Sequence, residues 1–89
     1  MLVLSPSERK ALKARAHHLN PVVLIGDAGL TPAVMREIDA ALKSHELIKV
    51  RVTGDDREVR VAAYEAMCAD LQAAPVQHIG KLLVLFRPK

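Results

Sequence analysis

Twelve consecutive residues, Pro21-Val22-Val23-Leu24-Ile25-Gly26-Asp27-Ala28-Gly29-Leu30-Thr31-Pro32, do most to limit the fold of this chain. An apolar run of strand length meets a Gly-x-x-Gly loop, and a helix-start signal follows at once. Two glycines three apart allow positive φ and let a bulky partner come close, because neither carries a Cβ. Thr31 can accept a hydrogen bond from the first helical turn, and Pro32 suits the first helical position, where no donor is needed. A helix N-terminus carries partial positive charge, so the loop in front of it is a natural seat for a phosphate. The loop lacks a Lys followed by Ser or Thr and is therefore not a nucleotide-hydrolysing P-loop.

Helix and strand signals alternate on either side of this junction, without a linker, repeat or low-complexity tract. Ser5-Pro6-Ser7-Glu8 is a capping box with Pro at the first helical position. Leu12, Ala16 and Leu19 then give an apolar stripe through about residue 18, beside a separate row of Arg9, Lys13 and His17. Val22 to Ile25 carries apolar side chains on both sides, which predicts a central, well-covered strand. A second helix is expected from Thr31 to about Ser44, with Val34, Ile38, Ala41 and Leu42 inward. Leu47 to about Thr53 alternates, placing Ile48, Val50 and Val52 on a core face and Lys49 and Arg51 on the other.

Asp55 with Glu58 can cap a third helix, whose inner positions are expected to include Val59, Ala62, Ala63, Ala66 and Met67, and Pro75 is read as its stop. Val76 to Ile79 and Leu82 to Phe86 flank Gly80-Lys81, a two-residue hairpin with Gly first. The order is α-β-α-β-α-β-β over one domain, residues 1–89. It predicts an α/β chain of the α+β, two-layer type, with a mixed four-stranded sheet and helices mainly on one face.

Composition narrows the function classes. Tyr64 and Phe86 are the only aromatic residues among 89, so an aromatic stacking platform is not the main binding device. The net charge of +3 is concentrated, since residues 1–20 hold Arg9, Lys10, Lys13 and Arg15 against Glu8 alone. Residues 31–60 balance six positive groups with six negative ones. A basic first helix on a neutral body suggests a patch directed at a polyanion, although a solubilising surface gives the same count. Cys68 is the only cysteine, which excludes an internal disulfide and favours a reducing compartment. Met1-Leu2-Val3-Leu4 is too short an apolar stretch for a signal sequence, and no run approaches membrane-spanning length, so a cytoplasmic location is expected.

Four blocks occur in an order and spacing that resemble a known family. They are Ala16-His17-His18-Leu19-Asn20-Pro21-Val22-Val23, the Gly26 to Gly29 loop, His45-Glu46-Leu47-Ile48-Lys49-Val50, and Ile79-Gly80-Lys81 with Leu83-Val84-Leu85-Phe86-Arg87. Together they look like the CRM domain (chloroplast RNA splicing and ribosome maturation) in its small stand-alone bacterial form, the YhbY-like proteins. The resemblance implies an RNA-binding domain that associates with precursors of the large ribosomal subunit. It also implies a fold similar to the C-terminal domain of translation initiation factor three, and a loop that clamps nucleic-acid backbone as in KH domains. Asp27 and Ala28 stand where family loops carry a basic or polar pair, and Asn20 where Lys is common. Gln72 stands near a usual Gly, and Phe86 replaces a Tyr.

The expected RNA contacts are therefore Arg9, Lys10, Lys13 and His17, the loop residues Gly26, Asp27, Ala28 and Gly29, and Lys49 with Arg51 on the second strand. Ribosomal RNA is the expected partner, with no membrane, small-molecule substrate, cofactor or metal. No catalytic set is formed by the pattern: Asp55-Asp56 reads as a helix cap, and His17, His18, His45 and His78 lack metal-ligand spacing. A competing reading is a protein adaptor that uses Ile79, Leu82, Val84 and Phe86 as an uncovered apolar hairpin face.

Overall fold

A computed structural model describes residues 2–89; Met1, the first residue of the short apolar opening, lies outside the described residues. The elements are α1 (Pro6–Ala16), β1 (Val23–Ile25), α2 (Pro32–His45), β2 (Leu47–Val52), α3 (Arg57–Leu71), β3 (Ala74–Ile79) and β4 (Leu82–Phe86). The four strands form one mixed sheet in the order β1-β2-β4-β3. β1 runs parallel to β2, while β4 is antiparallel to both β2 and β3. The expected α+β fold is the one observed.

Local chemistry explains the helix boundaries. The Ser5 hydroxyl accepts from the Glu8 N–H at 3.1 Å, and the Glu8 carboxylate accepts from the Ser5 N–H at 3.1 Å, completing the capping box. Those hydrogen bonds hold the Glu8 carboxyl below its usual range. Thr31 Oγ1 accepts from the Val34 N–H at 3.2 Å, with Pro32 in the first turn of α2. Asp56, rather than Asp55, caps α3 by accepting from the N–H groups of Glu58 and Val59. Asp55 instead meets Lys81 Nζ at 2.7 Å, an exposed pair that lowers its pKa.

α3 ends at a left-handed Gln72 (φ 52°), in the conformation a helix terminus usually gives to Gly. Pro75 does not stop the helix. It lies inside edge strand β3, beside an irregularity between Pro75 and Gln77 where a missing donor is tolerated.

α2 and α3 pack on one face of the sheet, burying Ile38, Leu42, Met67 and Cys68 against Ile25, Ile48, Val50, Leu83 and Leu85. α1 crosses the other face, where Leu12 and Ala16 cover Leu47, Ala74, Val76 and Val84. Helices thus lie mainly on one side, and α1 adds a partial third layer.

Three sequence expectations fail in instructive ways. β1 is an edge strand, not a central one, and Leu24 on the α1 side is 56% exposed because α1 does not reach it. The inner face of α3 is set by Arg60, Tyr64, Met67 and Cys68, leaving Val59, Ala62 and Ala66 exposed. Val84 is buried and Phe86 half-buried by α1, which removes them from the apolar face an adaptor would use.

Tyr64 explains part of that rotation. Its hydroxyl enters the β3–β4 ladder at the irregularity, accepting from the Val76 N–H at 3.0 Å and donating to the Val84 carbonyl. A side chain on α3 thereby satisfies backbone groups that the interrupted ladder leaves unpaired. Burial pushes the Tyr64 hydroxyl pKa upward.

Candidate nucleic-acid interface

α1 runs from the β3 edge toward the start of β2 and carries Arg9, Lys13 and His17 at four-residue spacing along one side. Lys13 and His17 line a groove of about 320 Å³ whose floor is Lys49, Gln77, Ile79 and Val84. Arg9 and Lys13 line the adjoining depression at the β3 edge, with Gln77 and His78. One helix row and one strand position therefore converge on a single cationic trough. Lys10 is exposed but lines neither depression, so its side chain is not brought to this trough.

Lys49 departs from the simple alternation expected of β2. It is only 8% exposed, because α1 covers its aliphatic stem. Among the described residues no buried side-chain nitrogen or oxygen lacks a partner, so its ammonium lies at the surface of the trough. Arg51, two residues on, is exposed on the same face. It pairs in register with Leu24 on β1 and Leu82 on β4, and Leu82 pairs with Ile79 on β3. This cross-strand row is the part of the face that α1 leaves open.

The Gly-x-x-Gly loop lies at the same end of the sheet as Arg51, directly after β1. The Gly29 N–H donates to the Gly26 carbonyl at 3.0 Å, closing a tight turn with Asp27 and Ala28 exposed at its tip. Only Gly29 takes positive φ (72°); Gly26 does not use that freedom. A Cβ at either glycine would meet no atom within 4 Å, so both face open space. The Thr53 hydroxyl, just after β2, lies 3.4 Å from the Ile25 carbonyl and 3.5 Å from Asp27 Oδ1, and can donate to one of them at a time. Lys81 Nζ, from the hairpin, donates to the Thr53 carbonyl at 3.4 Å. Loop, β2 end and hairpin thus form one rim.

Two groups missed by the sequence reading brace that rim. Arg60 is buried on α3, and its Nη1 donates to the Gly54 carbonyl at 2.9 Å. Its Nε lies 3.4 Å from His78 Nε2, and that ring nitrogen lies 3.0 Å from the Gly80 carbonyl. A charged residue at an inward position in the first turn of α3, six residues after the glycine it holds, was the only available signal.

The single thiol is withdrawn from the surface. Cys68 is fully buried, and burial pushes its thiol up to about 11, away from reactive thiolate. Among the described residues no three His, Cys, Asp or Glu side chains gather into a metal-binding group. Among them, too, no helix is long and apolar enough to cross a membrane.

Comparison with known proteins identifies the family. The family model of the CRS1/YhbY (CRM) domain covers residues 4–87. A Haemophilus influenzae protein named "RNA-binding protein" is 51% identical over 88 residues, spanning 99% of this chain and 89% of the relative. A Pseudomonas aeruginosa relative, also named for RNA binding, is 37% identical over 97% of this chain and 83% of its own length. The solution structure of a hypothetical Staphylococcus aureus protein superimposes with a TM-score of 0.87 at 28% identity, covering 98% of this chain and 91% of that one. The chain belongs to the CRM (CRS1/YhbY) domain family.

Proposed function

We propose that this protein is a non-enzymatic RNA-binding protein that holds backbone phosphates along the α1 face, and that its RNA is ribosomal, within precursors of the large subunit. The observation that carries the reading is the convergence of Lys13, His17 and Lys49 on one trough, with Arg9 at one end and Arg51 leading to the glycine loop at the other. Cations spaced along a continuous surface suit the repeating charge of a polynucleotide better than a single anionic ligand. The names of the relatives support RNA as that polynucleotide.

Contacts of this kind recognise shape and backbone more than base identity. The turn at Gly26 to Gly29 would approach a phosphate through its exposed peptide groups. Neutralising roughly five phosphates predicts a slope of about −4 for log affinity against log salt. Filter binding to ribosomal RNA over a salt series measures it, and a flat response would refute the phosphate-contact reading. Sucrose-gradient sedimentation of cell extract tests the finer claim. The protein is expected with large-subunit precursors, and its confinement to the top of the gradient would refute that assignment.

A further inference from the structure

A second concavity, of about 330 Å³, opens beside the trough between the C-terminal end of α1 and the first residues of β2. Its walls are apolar: Leu19 and Val22 face it from the connection between α1 and β1, and Leu47 from the start of β2. Arg15, His45 and Lys49 bring three basic side chains to it, and no carboxylate lines it. Lys49 is shared with the trough, so a chain lying there passes the mouth of the pocket. Val22 is 52% exposed and leaves the mouth accessible.

An apolar slot ringed by cations selects a ligand that is flat and apolar in one part and anionic in another. We infer that this pocket takes one unpaired nucleotide of the bound RNA, its base against Leu19, Val22 and Leu47 and its phosphate toward Arg15 and Lys49. Asn20 also lines the pocket, and its carboxamide offers the donor and acceptor that a base edge requires. A base leaves the helical stack easily only at a bulge, loop or end, so the pocket would direct a backbone-reading protein to irregular sites. This inference rests on the RNA-binding reading above. It adds the class of RNA feature recognised.

The test compares a fully paired RNA hairpin with the same hairpin carrying one bulged nucleotide, using the intact protein. The bulged probe is expected to bind about tenfold more tightly, the gain that burying roughly 55 Å² of apolar base surface would give. Val22→Trp places an indole across the pocket from an exposed position just before β1. It should abolish the preference while leaving affinity for the paired hairpin within about twofold of wild type, a spread within ordinary surface-mutation effects. Asn20→Ala, at an exposed loop position, gives an independent check and should lessen the preference. Equal binding of both probes by the wild type would overturn the pocket assignment and leave phosphate recognition standing. Failure to bind either probe would overturn both readings. A preference that persists in Val22→Trp, or displacement of the bulged probe by an acidic peptide but not by a nucleoside monophosphate, would also overturn the assignment.

Discussion

The two faces of the sheet are built from the same strands and do opposite work. Toward α2 and α3, β2 and β4 offer Ile48, Val50, Leu83 and Leu85, all fully buried beneath two helices. Toward α1 the same strands offer Leu47, Val84 and the stem of Lys49 beneath the helix, then Arg51 and Leu82 as the helix draws away. One helix cannot cover four strands, and the uncovered remainder is where charge costs least to keep. The closed face stabilises the fold, and the half-open face is the one proposed to hold RNA.

That asymmetry is testable as stability. Ile48→Ala empties a site on the closed face and should cost about 3 kcal/mol in denaturant unfolding. Arg51→Ala, on the open face of the same strand, should change stability by less than about 0.5 kcal/mol. Equal losses would abolish the distinction between the faces. Tyr64→Phe sits between these extremes. It removes the hydroxyl that serves Val76 and Val84 at the interrupted ladder, and about 2 kcal/mol should be lost. Faster amide exchange at Val76, read by NMR, would localise that loss to β3.

Particular residues show how much of this was legible beforehand. The junction from β1 through the glycine loop to α2 was read correctly, because Thr31 and Pro32 act locally on the helix start. The Gly80-Lys81 turn was legible for the same reason. The face of α3 was not, since apolar periodicity passes over Arg60 and Tyr64. The burial of Tyr64 depends on the β3–β4 ladder, a partner distant along the chain, and that of Arg60 on how the loop before α3 folds back to bring the Gly54 carbonyl within reach. Lys49 and Leu24 exchange their expected exposures for one shared reason. Where α1 crosses the sheet is a tertiary outcome, and no pattern within β1 or β2 encodes it. Of the proposed RNA contacts, Arg9, Lys13, His17 and Lys49 are gathered by the fold, whereas Lys10 is not.

The glycine loop sharpens the comparison on the binding side. Gly29→Asp meets open space, but its φ of 72° is a conformation that non-glycine residues adopt at a cost of about 1 kcal/mol. Asp is among the residues that tolerate it, so the fold should survive. RNA affinity should fall by at least about tenfold, because a carboxylate then projects where phosphate would approach. Filter binding of a variant with unchanged circular dichroism would decide the point. Undiminished affinity would remove the loop from the interface.

The smallest effect isolates the trough itself. Lys13 and Arg36 are both exposed cations on helices, one on α1 beside the trough and one on α2 over the closed face. Replacing either with Ala removes one charge, and general electrostatic attraction would weaken by a similar amount in both cases. Only a cation that neutralises a phosphate directly contributes to counterion release. Lys13→Ala should therefore reduce the steepness of the salt dependence by about one unit, uniformly across RNA sequences. Arg36→Ala should leave that slope unchanged. Equal reductions in the two variants would mean that phosphates are distributed around the whole molecule, and the division of labour between the faces would fail where it matters for binding.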